Sequence, residues 1–230
     1  MASSSNNGRR TSKSHALFEA LREEILENIL QPGDAVSLEG LCKRFGVSRS
    51  PASNALSKLA DLGLVDIFPQ HGTFVSAISL SAVQENAFLR ECIETGVVRR
   101  LAGNLTENQK AKLLTNLRIQ RALAESGDDD GFYKYDKEFH QLLVGFSGLH
   151  KPNEILQNAG FQLERARQMI VPVATRVQSA LHEHEDIAQA LFDADPDAAA
   201  QAMRTHLVTA MATLETIVGE NPEKFSTKKT

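Results

Sequence analysis

The stretch "GVSRSPASNALSKLADLGLV", residues 46–65, sets the fold of the first third of the chain. Gly46 suits a tight turn and Ser48 a helix N-cap. Pro51 falls in the first helical turn, where a missing amide hydrogen costs least, and Gly63 ends the helix. Working outward, "LEGLCKRF" (38–45) reads as a shorter helix with Ser37 as its N-cap. Before it, "HALFEALREEILENIL" (15–30) carries apolar residues at helical spacing, and Pro32 and Gly33 in "QPGD" stop it. Beyond residue 63, "LVDIFP" (64–69) and "GTFVSAI" (72–78) alternate and are β-rich, with "QHG" (70–72) as a hairpin tip.

Helix, helix, turn, helix and a two-stranded wing predict a winged helix-turn-helix over residues 14–77. The third helix would enter the major groove, presenting Ser48, Arg49 and Ser50 to base edges. Arg49 can fork onto guanine or a phosphate. The wing tip, Gln70, His71 and Gly72, would reach the backbone or minor groove, and Lys43, Arg44 and Lys58 suit phosphates. The "PG" turn, "GVSRSP", "ALSKLADLGLV" and "HGTFV" together resemble the DNA-binding domain of the GntR family of bacterial transcription regulators. Two positions depart from that pattern: Ser53 stands where the family usually has arginine, and Glu39 where some members have arginine. Those two contacts are not carried over. A winged helix used only for protein contacts is the competing reading. Charge does not favour DNA, since residues 1–77 hold eight Lys/Arg and eight Asp/Glu; the motif order does.

The whole chain has 230 residues, 42% hydrophobic, with net charge -4 and two cysteines at no metal-ligand or redox spacing. Those numbers allow one large or two small cores and give no global nucleic-acid signal. No apolar run approaches the roughly 18 residues of a membrane span. Cys42 and Cys92 read as reduced thiols of a cytoplasmic protein. Polar tails are expected at 1–13 and 218–230, and a linker at 78–84. Residues 85–217 predict an all-α bundle, giving a mainly α protein. Within it, Thr106 and Gln109 have capping-box spacing, and acids open the helix "DDDGFYKYDKEFHQLLVGFSG" (128–148). Two last helices, 174–193 and 196–217, flank "DADPD", with Asp195 as N-cap and Pro196 at the first helical position.

That bundle holds an unusual set of polar residues on apolar faces. Asp136 and His140, one turn apart, lie on a stripe with Phe132, Tyr135, Phe139, Leu143 and Phe146. A buried acid is costly unless paired, bonded or ligated. His184 lies eleven residues before Asp195 and His206 eleven after it. In an antiparallel helix pair, positions equidistant from the turn come alongside. His184 also shares a face with Leu181, Ala188 and Leu191, whereas His182 points to the other side. One carboxylate and three imidazoles pointing into a helical core have the composition of a divalent-metal site, imidazole suiting Zn, Ni, Cu and Fe and the carboxylate widening the choice to Mn, with a position open for water or a small carboxylate; the alternative for each histidine by itself is a satisfied structural role in the core.

The Asp-x-x-x-His helix, the "EHEDIAQAL" helix and the "AMRTHL" helix are similar to FCD, the ligand-binding domain of FadR-type GntR regulators. The resemblance implies metal ligation by Asp136, His140, His184 and His206. It also implies, through "LRECIE", that Arg90 lines the pocket of an organic-acid effector, or else pairs with Glu94 at the surface. After the Asp/His helix the chain reads "SGLHKPNEIL" where the family often has "SGN", and nothing is carried over there. Arg165 and Arg167 line the pocket or face solvent. The expected function is a dimeric regulator, a repressor first, that binds a palindromic DNA operator and responds to a small acid. A metal-dependent enzyme is the alternative from another class, but no separate general base accompanies the ligands, and "HEHE" at 182–185 is not a His-Glu-x-x-His face. A regulator answering to metal alone is the third reading.

Overall fold

Ser37 and Gly46 bracket the second helix of the N-terminal unit. The Ser37 hydroxyl accepts from the Gly40 amide at 3.1 Å, opening α2 (Leu38–Phe45), and Gly46 closes it at φ 60°, a left-handed conformation that glycine adopts freely. The turn leads into α3 (Arg49–Asp61). Ser48 stands at its N-cap position, yet its side chain makes no capping bond. The inner face of α3, Ala52, Ala55, Leu56 and Leu59, is buried with Leu17, Leu21 and Ile25 of the first helix, α1 (Lys13–Leu26). The wing is an antiparallel pair, β1 (Val65–Phe68) and β2 (Gly72–Val75), in register Val65↔Val75 and Phe68↔Gly72. Gly33, at φ 90°, does more than stop a helix. Its amide donates to the Val75 carbonyl at 2.9 Å and Val36's to Thr73's at 2.8 Å, laying the "PGDAV" stretch along the wing.

This computed structural model describes residues 13–159, 165–166, 174–220 and 225–226. It divides into two units, Met1–Ala77 and Ile78–Thr230. The expected tail over residues 1–13 lies outside the described residues apart from Lys13, which begins α1.

The second unit is helical: α4 (Leu80–Leu101), α5 (Glu107–Ser126), α6 (Asp129–Phe146), α7 (His150–Ala159), α8 (Ala174–Phe192) and α9 (Pro196–Glu220). Local chemistry fixes their ends. Thr106 and Gln109 form the capping box of α5. Asp128 accepts from the Gly131 amide at 2.9 Å to open α6, and Asp195 accepts from Asp197 and Ala198 at 3.1 and 2.9 Å to open α9. The core runs through all five long helices: Val97, Val98 and Leu101 of α4 and Leu113 of α5 meet Phe139 and Leu143 of α6, with Ile187 and Leu191 of α8 and Met203 of α9.

Two expectations change. The stretch 78–84 is not a linker. Ile78–Ser79 form strand β3, the Ser79 hydroxyl accepts from the Ala82 amide at 3.3 Å, and α4 begins at Leu80. Likewise 218–230 is not wholly a tail: α9 runs to Glu220, and Phe225–Ser226 form β4, parallel to β3 with Ile78 opposite Phe225. The reason is apolar burial, because Phe225 and Ile78 share a small core with Val83 and Leu214. No helix among the described residues is long and apolar enough to cross a membrane.

Candidate metal centre

Three helices bring four polar side chains to one interior point. Asp136 and His140 come from α6, His184 from α8 and His206 from α9. All four are buried, His184 completely, while His182 is exposed. One donor atom from each lies within 4.8 Å of the others. His206 Nε2 is 3.2 Å from His140 Nε2 and 3.4 Å from His184 Nε2. Asp136 Oδ1 is 3.4 Å from His184 Nε2 and 4.0 Å from His140 Nε2. Donors bound at about 2.1 Å to one ion stand roughly 3.0–3.4 Å apart, so most of these spacings are those of a ligand set.

The outward nitrogens explain why the inward ones converge. His184 Nδ1 donates to Gln120 Oε1 at 2.8 Å, and His206 Nδ1 to Glu183 Oε2 at 2.7 Å. His140 Nδ1 is held by Glu94. Gln120's own orientation is locked, because its Nε2 donates to Asn116 Oδ1 at 2.6 Å while Asn116 donates to the Tyr135 carbonyl at 3.1 Å. With each Nδ1 hydrogen committed outward, all three Nε2 lone pairs face one another and a carboxylate. Four acceptors meeting in a buried space repel unless a cation lies between them, so the donor chemistry fits a divalent metal. Burial holds His140 well below the usual histidine pKa, and the Arg90 charge adds to that, which keeps the ring in its ligating form.

Two ion pairs stand behind the imidazoles, one buried and one half-buried at its glutamate. Arg90 binds Glu94, the residue that holds His140. Arg176 Nη2 lies 2.8 Å from Glu183 Oε2, the atom that holds His206. The same Nη2 is 3.4 Å from His206 Nδ1. That nitrogen cannot donate to Glu183 and accept from Arg176 at once. The shorter carboxylate contact prevails, since a carboxylate only accepts. Glu183 has its pKa raised by burial, against the lowering effect of Arg176.

Sequence reading did not find Glu94's contact with His140, nor the parts played by Gln120, Arg176 and Glu183. Arg90 does pair with Glu94, but in the interior rather than at the surface. Arg165 is fully buried, with its pKa lowered by burial to about 10, so it does not belong to a solvated face. Arg167 lies outside the described residues.

In the N-terminal unit, Ser48 and the α3 residues Arg49, Ser50, Ser53, Asn54, Ser57 and Lys58 are exposed, as are His71 and Gly72 at the wing tip. The phosphate candidates Lys43 and Arg44 are already engaged. Lys43 pairs with Glu39 at 3.0 Å, and Arg44 binds Glu24 and lies over the Phe45 ring.

Comparison with known proteins matches residues 13–75 to the family "Bacterial regulatory proteins, gntR family" and residues 86–209 to the FCD domain. The chain is 35% identical to the HTH-type transcriptional repressor RspR of Escherichia coli K12, across 91% of this chain and 92% of that protein. It is 33% identical to an HTH-type transcriptional regulator in an unstable DNA locus of Streptomyces ambofaciens, across 96% and 92%. In fold it is similar to the solved structure of E. coli McbR/YncC, with TM-score 0.75 at 17% identity over 90% of this chain and 99% of that one.

Proposed function

The chain belongs to the gntR family of bacterial regulatory proteins and carries an FCD domain, and from that premise we propose that it is a homodimeric repressor whose operator affinity is set by a small carboxylate bound at a divalent metal. It is a transcriptional regulator and not an enzyme, as its relatives are. Repression is the named activity of RspR. The observation that carries the metal reading is the convergence of three Nε2 atoms and Asp136 Oδ1, each imidazole fixed from outside. Zinc, nickel or manganese suits such a donor set. The bound ion would supply a Lewis-acidic position for an anion. Charge supports an acidic effector. Glu94 pairs with Arg90 and Glu183 with Arg176, so a divalent ion beside Asp136 leaves one positive charge among these groups with the three histidines neutral.

On the DNA side, Arg49 is the reader of base edges, with Ser48, Ser50, Lys58, His71 and Gly72 around it. A second copy of the chain would cover Phe88 on α4 and Val208 on α9, which stay exposed, and its two-fold symmetry would call for a palindromic operator in the cytoplasm.

Elemental analysis of the purified protein tests the metal: one divalent ion per chain is expected, lost in the double variant His184→Ala, His206→Ala. A double variant that keeps its metal would overturn the ligand assignment. Operator release on adding a chelator alone, with no acid able to cause it, would assign the signal to the metal instead.

A further inference from the structure

Three acceptors hold the outward faces of the histidines, and they are not equivalent. Gln120 is fully buried and locked by Asn116. Glu94 is 2% exposed. The Glu183 side chain is 16% exposed, which makes it the acceptor nearest solvent. It is also shared, taking the His206 Nδ1 hydrogen at 2.7 Å and the Arg176 guanidinium at 2.8 Å through the same oxygen. His184 needs no charge behind it, since the neutral Gln120 orients it at 2.8 Å. By that internal comparison, orienting His206 does not require a carboxylate either. The negative charge of Glu183 is needed for Arg176, a buried cation that would otherwise be costly.

We propose that Arg176 is an anchor for the effector's carboxylate and that Glu183 is its built-in occupant, which an incoming acid displaces. This rests on the reading of the helical unit as a carboxylate sensor. The Arg176 guanidinium lies on the Nδ1 side of His206, 3.4 Å from that nitrogen, so a carboxylate that takes the place of Glu183 sits behind the imidazole whose Nε2 faces the donor cluster, held by a charge-assisted, bidentate guanidinium pair. Displacement frees Glu183 from Arg176 as the incoming carboxylate takes its place on the guanidinium. The occupant therefore sets the threshold for effector concentration, because every acid must compete with a tethered one at high effective concentration. It also links the effector to His206, and through it to α9.

The test titrates the full-length protein, as purified with its metal, with sodium acetate, lactate and gluconate, reading affinity by calorimetry and melting temperature. Glu183→Gln keeps an acceptor for His206 and removes the competitor. It should bind the tightest of the three acids at least tenfold more strongly than the unsubstituted chain. Arg176→Gln should lose binding, and Arg176→Lys should recover part of it, which separates anchoring from simple misfolding. Glu183→Gln affinity equal to or weaker than that of the unsubstituted chain overturns the proposal, as does loss of metal from that variant, which would mean His206 itself needs the carboxylate. If the unsubstituted chain binds an acid and only the gain in Glu183→Gln fails, the displacement idea falls and the carboxylate-sensor reading stands. If no acid binds any version, both fall.

Discussion

Gln120 shows how much a single residue outside the candidate ligand set can matter. Its amide is fixed by Asn116, so only its oxygen can face His184, and that forces the ligating tautomer. Gln120→Ala should weaken metal affinity about 10–100-fold, measured by competition with a chelating dye, and an unchanged affinity would count against outer-shell control of His184. His140 makes the pH dependence predictable. Burial lowers its folded pKa, so below the ordinary value near 6.5 the unfolded chain takes up a proton that the folded chain refuses. Metal-free protein should hold its stability above about pH 7 and lose up to about 1.4 kcal/mol per pH unit as acidity rises, for one such histidine. Urea midpoints that do not fall between about pH 7.5 and 5.5 would contradict this. In the other unit, Arg49→Ala should weaken operator binding by an order of magnitude or more, read as a mobility-shift titration at fixed salt, since one bidentate base contact is worth about 1–3 kcal/mol.

At the scale of elements, helix ends position the candidate ligands. α6 starts on the Asp128 cap, eight residues before Asp136. A methyl at Gly131 would lie 2.5 Å from Asp128 Oδ2 and 2.8 Å from Leu123 Cδ2. Gly131→Ala should therefore destabilise the helical unit by about 1–2 kcal/mol in urea titrations, through a displaced cap and overpacking. Unchanged stability would mean the Asp128 turn shifts without cost. The α8–α9 pair shows why a short turn has long reach. Asp195 closes the hairpin, α8 and α9 pack side by side, and residues placed eleven positions to either side end with nitrogens 3.4 Å apart.

For the whole molecule, each unit has buried apolar residues of its own, and the four candidate metal ligands all lie in the second. Calorimetry of the full chain should give a transition that a chelator lowers and another that it leaves in place. A metal at 1,000 times its dissociation constant contributes about 4 kcal/mol to the unit that binds it. Effector and operator should weaken each other reciprocally, by about 1–3 kcal/mol.

What the sequence determined by itself was local. Ser37, Thr106 and Asp195 mark helix starts because a cap bonds to amides within three residues of itself. Helical periodicity placed Asp136 and His140 on one face, and counting from a tight turn paired His184 with His206. The tertiary structure alone decided the partners of those residues. Glu94 reaches His140 across 46 positions and Gln120 reaches His184 across 64, contacts that depend on how far α4 and α5 are rotated as they pack. It also decided that Phe225 returns to Ile78, because a two-residue parallel strand has no periodic signal and forms only where burial of both side chains offsets the closure of a long chain.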